Sequence, residues 1–164
     1  MKITPTSSRM YGFMVLYEMH TDFLLRALAG IDQKDAQKRL ETKANHIAWI
    51  TGSVIHSRYF LAKSFSISLP SVTDELFENN KGIMDDANYP PLVDLIKDWQ
   101  EITPLLQEVL TTATDEKLEE KFVMPEMEIT LFDMIGFSSY REANCIGQIA
   151  LWRRLLGYPG MNYM

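Results

Sequence analysis

From Ser8 to Leu28 the positions Met10, Phe13, Met14, Tyr17, Thr21, Leu24 and Leu28 recur at spacings of three and four, the period of one helical face. This predicts a first helix, with Ser7 or Ser8 as its N-cap and Gly30 as the residue that ends it. Leu16, Phe23 and Ala27 lie off that stripe. A helix apolar around much of its girth has more than one partner, which points to a homodimer built on helix one. A second helix is predicted from His46 to about Ser66, capped by Asn45, with His46, Trp49, Ser53, His56 and Phe60 on its inward face.

Leu69-Pro70-Ser71 and Asn79-Asn80-Lys81-Gly82 mark a long irregular crossing that holds at most a short turn of helix, Thr73 to Phe77. Tyr89-Pro90-Pro91 is a helix start. The third helix then places Leu92, Leu95, Ile96, Trp99, Ile102, Leu105 or Leu106, and Val109 on one stripe, with Pro104 expected to bend it near Asp98 to Glu101. Thr114 caps a short helix, and 122–129 is extended and broken by Pro125. Thr130 then caps a fourth helix from Leu131 to about Leu156, closed by Gly157. Four long amphipathic helices without an alternating strand pattern predict an all-α fold, a four-helix bundle with long crossover connections, as one domain over 1–164.

Composition narrows the classes. The chain is 46% hydrophobic and 23% charged with net charge -6, too apolar for a disordered segment and too interrupted by charge for a membrane span. The first residues lack the apolar core of a secretory signal, which places the expected location in the cytoplasm. Residues 1–82 hold ten basic and eight acidic side chains, and 83–164 hold six and fourteen. No basic cluster is denser than Arg153-Arg154, so neither nucleic acid nor a membrane is expected as a partner. A single cysteine, Cys145, excludes an internal disulfide and a CxxC pair. Methionines 10, 14, 19, 124, 127 and 134 read as irregular core filling rather than a ligand cavity.

Two stretches carry more information than their helices require. Asn45-His46-Ile47-Ala48-Trp49-Ile50-Thr51-Gly52-Ser53 and Arg141-Glu142-Ala143-Asn144-Cys145-Ile146-Gly147-Gln148, the latter continuing to Arg153-Arg154-Leu155-Leu156-Gly157, each hold a glycine in mid-helix. That costs about 1 kcal/mol against alanine and usually marks close packing or an approached site. The two stretches together resemble the DinB-like superfamily, four-helix-bundle proteins that include metal-dependent thiol S-transferases and hydrolases. In that family the patterns run Asn-x-Ile-Ala-Trp-x-x-Gly-His and His-x-x-x-His-x-Gly-Gln, and the resemblance implies that the three histidines hold one divalent metal.

In this chain those histidine positions are Ser53, Arg141 and Cys145. A hydroxyl, a guanidinium and a thiol do not replace a facial three-imidazole set, and Arg141 opposes a dication electrostatically. No metal or other cofactor is expected. The predicted site is a non-catalytic pocket for a small anionic ligand, lined by Ser53, His56, Arg141 and Cys145 with Trp49 and Gln148 as walls. Arg141 needs an acidic partner or a bound anion, and Glu18 and Asp22 on helix one are the candidate partners, Glu142 facing elsewhere. The alternative is a thiol S-transferase or hydrolase with displaced ligands, for which His20, predicted to stand level with Ser53, would join His56 and Cys145. A Cys145 thiolate assisted by Arg141 is a further, weaker reading.

Overall fold

The computed structural model describes residues 4–78, 81–124 and 127–164; the side chains of 122–124 and 127, the sequence-predicted break at Pro125, and the loop residues Asn79 and Asn80 lie outside that description. So do the packing roles expected of Met124 and Met127. Six α-helices and one hairpin form the described chain: α1 (Tyr11–Leu28), α2 (Ile47–Lys63), α3 (Asp74–Phe77), α4 (Leu92–Thr112), α5 (Asp115–Leu118), β1 (Lys121–Met124), β2 (Met127–Thr130) and α6 (Leu131–Leu155). The fold is all-α apart from that hairpin. No helix among the described residues is long and apolar enough to cross a membrane.

The local signals act through identifiable atoms. The Ser7 hydroxyl accepts from the Arg9 backbone N–H and opens a short 3-10 turn that leads into α1. Gly30, with φ +72°, takes the left-handed conformation that ends α1, and Gly157, with φ +86°, does the same after α6. Thr130 and Asp133 form a reciprocal capping box at the start of α6. The cap of α2 is His46 rather than Asn45: its Nδ1 accepts from the Trp49 backbone N–H at 3.1 Å. Asn45 instead presents its carbonyl to Trp152 Nε1 at 2.9 Å, tying the start of α2 to the end of α6. The extended segment folds back as an antiparallel pair with Lys121 opposite Thr130 and Met124 opposite Met127.

Side-chain contacts set the directions of the long helices. Phe13 meets Phe132 and the backbone at Gly136, His20 meets Glu142, and Arg153 Nη1 donates to the Ala27 carbonyl, so α1 and α6 run parallel. Ser53 and Ser57 meet Arg141 while Asn45 meets Trp152, so α2 and α6 are antiparallel. Gly52 faces Leu95 and Arg58 reaches Thr103, which makes α2 and α4 parallel. Met14 with Thr111 and Thr21 with Trp99 make α1 and α4 antiparallel. The chain order is therefore up, down, down, up, and the long crossing through α3 exists because two successive helices that run parallel cannot be joined by a tight turn.

The core is continuous and includes Met14, Leu24, Ile50, Ile55, Leu95, Trp99, Ile102, Leu106 and Ile149. α2 is the central helix. It buries thirteen residues around most of its girth, so its sequence carries no clean stripe, and Phe60, expected inward, is 41% exposed. On α4 the core residue is Leu106 rather than Leu105, and the helix continues through Pro104. Of the off-stripe set on α1, Ala27 is fully buried and Phe23 packs edge-on to Tyr163 with ring centroids 5.5 Å apart, whereas Leu16 is exposed. Arg153, inside the basic pair of α6, is buried: Nη1 donates to the Ala27 and Ala29 carbonyls and Nε to that of Pro159, satisfying the open end of α1.

Candidate functional site

Two arginines organise the polar interior, one from α2 and one from α6. Arg58 is 1% exposed. Its Nε and Nη2 donate to the two carboxylate oxygens of Glu142 at 2.6 and 2.9 Å, a bidentate pair. Nη1 donates to Thr21 Oγ1 at 3.1 Å and Thr103 Oγ1 at 2.8 Å, and the guanidinium lies 3.4 Å over the Trp99 ring and 4.0 Å over Tyr17. His20 Nδ1 stands 3.3 Å from Glu142 Oε2. Burial alone would push the Glu142 carboxyl up, but the Arg58 charge and hydrogen bonds, with those of His20, hold it below the usual carboxylate range. All four long helices contribute, and every charge in the cluster has its partner.

His20 thus stands level with Arg58 and Glu142, not with Ser53, and Glu142 faces inward. The expected grouping of His20, His56 and Cys145 does not form. No three of the described histidines, cysteines and acids are placed to share a metal ion.

Arg141 precedes Glu142 on α6 and points to the other side of the α2–α6 contact. Its Nη1 donates to Ser57 Oγ and its Nη2 to Ser53 Oγ, hydroxyls one turn apart on α2. The acids expected to pair with it do not: Glu18 accepts from Gln107, and Asp22 is bonded to Arg26. Among the described residues Arg141 has no carboxylate within salt-bridge distance.

The guanidinium forms part of a cleft of about 170 Å³ whose lining also includes Trp49, Ser53, His56, Phe77, Lys81 and Gly82. The mid-helix glycine at 52 explains how the cleft is walled. A Cβ there would stand 2.8 Å from Phe77 Cε2, so the absent side chain lets α3 lay the Phe77 ring directly on the α2 backbone. Phe77 then contacts Trp49 and His56, with ring centroids 5.5 and 5.9 Å apart.

The cleft is rich in donors. Trp49 Nε1 and His56 Nδ1 are buried with no hydrogen-bond partner. Ser53 Oγ accepts from Arg141, which leaves its own O–H to donate. Lys81 Nζ donates to the Glu75 carbonyl at 3.0 Å and has two further protons. Burial pushes the His56 imidazole below its ordinary value, the Asp74 carboxylate 4.0 Å away opposing that and Lys63 and Arg141 adding to it, so the ring is neutral at pH 7.

Cys145 is buried one turn beyond Arg141 and does not line the cleft. Burial pushes its thiol up, and the nearby Arg141 charge offsets this only in part, so it lacks the depressed pKa of a nucleophilic cysteine. Gln148 is exposed, donates to Asn144 on its own helix at 2.6 Å, and is not a wall of the cleft. Phe77, Lys81, Arg58 and Glu142 are the residues that sequence reasoning did not bring to the site. Neither a protein-family model nor a curated protein matches the chain.

Proposed function

We propose that the chain is a DinB-like four-helix bundle in which a guanidinium stands where that family holds its metal, and that it binds a small anion in the Arg141 cleft without catalysing a reaction on it. The observation that carries this reading is the Arg141 side chain, held by two serine hydroxyls and by no acid among the described residues. Hydroxyls offset only part of the several kcal/mol that desolvating a charge costs, and a bound anion completes the set. The Ser53–Arg141 hydrogen bond supports the alignment with the family, because it brings two of the three ligand positions side by side.

Isothermal titration with inorganic phosphate and with acetate at low ionic strength tests the anion reading. Saturable binding of at least one is expected, with loss in Arg141→Met; saturation by neither of these nor by a larger carboxylate overturns it. Elemental analysis of protein purified without a chelating tag tests the rest, and a metal-to-protein ratio near one would return the chain to the metal-dependent enzymes.

The protein is read as cytoplasmic and as a homodimer. The apolar positions that support the dimer are Leu16 and Met19 on α1 and Tyr140 and Leu151 on its neighbour α6, all well exposed. Sedimentation that shows only the 18.9 kDa species at micromolar concentration overturns it.

A further inference from the structure

The geometry points to an aromatic carboxylate as the occupant of the Arg141 cleft, an inference that rests on the anion reading above and narrows it to a ligand class. One guanidinium without an acid among the described residues calls for one negative head group, and a planar carboxylate matches the planar donor fork of arginine. Lys81, the second cation at the cleft, is already bonded to the Glu75 carbonyl and adds favourable potential rather than a second fixed contact.

The rest of the cleft is not built for an ion alone. Phe77, Trp49 and His56 form a contiguous run of rings, Phe77 in the middle, seated on α2 at Gly52. A volume of about 170 Å³ exceeds what a carboxylate fills and leaves room for a body of about one ring. Ring–ring contacts contribute beyond their buried area, so the aromatic wall favours a π-face over a saturated one. Trp49, whose Nε1–H is buried without a partner, lines the same cleft.

Titration calorimetry of the full chain with benzoate, cyclohexanecarboxylate, acetate and inorganic phosphate separates the possibilities. Benzoate is expected to bind about tenfold tighter than acetate or phosphate and about threefold tighter than cyclohexanecarboxylate, which has the same charge and similar size without the π-system. Phe77→Leu, which keeps an apolar wall and removes the central ring, is expected to erase the preference for benzoate over cyclohexanecarboxylate. If that variant does not fold, the four-ligand comparison on the natural chain decides. Benzoate and cyclohexanecarboxylate within twofold of each other, or phosphate tighter than benzoate, overturn the aromatic inference and leave the anion reading standing. No saturable binding of any of the four overturns both.

Discussion

Arg58 and Arg141 meet the same pair of helices at nearly the same level, yet they are treated in opposite ways. Ser57 and Arg58 are consecutive on α2, and Arg141 and Glu142 are consecutive on α6; the inner members pair as Arg58–Glu142 and the outer members as Ser57–Arg141. Adjacent helical residues point about 100° apart, so one register of the α2–α6 contact serves both pairs. The inner guanidinium spends its donors on a bidentate carboxylate and two threonines between two aromatic rings. Among the described residues the outer one has neutral hydroxyls alone, and it faces a cleft. A charge fully partnered inside the protein specifies the packing of the core. A charge held by hydroxyls keeps its electrostatic demand for something that arrives from solution.

The largest expected effect breaks the inner pair. Glu142→Gln leaves Arg58 buried without a counter-charge and should destabilise the fold by about 3–5 kcal/mol, read from the urea midpoint at pH 7. The double change Arg58→Met with Glu142→Leu should cost far less than the single one, because it removes both charges together. Equal losses would mean that the pair adds net stability beyond mutual neutralisation.

Acid should act on the same pair. Glu142 is held below its ordinary value by Arg58, and His56 and His46 are lowered by burial, so all three bind protons more readily when unfolded. Stability is then fully present above about pH 6.5. It falls as the histidines of the unfolded chain take up protons, and falls further below about pH 4.3 as Glu142 is driven toward protonation. A urea midpoint independent of pH between 7 and 5 would contradict the histidine part.

A gain of comparable size tests the outer pair. If Ser53, Arg141 and Cys145 occupy former ligand positions, then Ser53→His, Arg141→His and Cys145→His together should create a three-imidazole site. A metal present at 100 times its dissociation constant would stabilise that variant by about 2.7 kcal/mol, several degrees in melting temperature. A folded variant indifferent to zinc or nickel would show that the three positions do not converge.

How much of this was legible in the sequence differs between the two arginines. Arg141 stands out because it interrupts a motif; the same family pattern joins Trp49 and Ser53 to it, and helical spacing from Ser53 adds His56. Arg58 carries no signal, and Glu142 reads as facing elsewhere, because inward charges erase the periodicity by which an inward face is recognised. α2 has no polar face from which its core side can be told, so its inward set was only partly right. Phe77 and Lys81 come from the crossing between α2 and α4, and no spacing rule links them to helix two. The mid-helix Gly52 was the one available signal, and it marks the place where Phe77 lands. The hairpin before α6 reads in the sequence only as an extended stretch broken by Pro125, because its four-residue strands are too short to show alternation.

Arg141→Met should move stability by no more than about 1 kcal/mol. Two hydrogen bonds to serine hydroxyls are lost, each worth about 0.5–1.5 kcal/mol, and the relief of an unpaired, partly buried charge offsets them. The pairing with Glu18 or Asp22 suggested by sequence would have implied a larger loss, and the observed partners of those acids remove that expectation. The informative readout is the anion-dependent part of the melting temperature, which should vanish in the variant while the anion-free value stays nearly fixed. A loss of several kcal/mol without ligand would instead make Arg141 a structural residue like Arg58.

The smallest effect marks where the outer region ends. Gln148 matches the family pattern, yet its side chain is exposed and bonded one turn back to Asn144, with α6 continuing beneath it. Exposed pairs at this spacing stabilise a helix by about 0.2–0.5 kcal/mol, and alanine has the higher helix propensity, so the two contributions nearly cancel in Gln148→Ala. Stability should stay within about 0.5 kcal/mol and benzoate affinity within twofold. A tenfold loss of affinity would extend the ligand along α6 past Cys145, beyond the cleft walled by Phe77, and Arg141 would then sit at the middle of the binding surface rather than at its end.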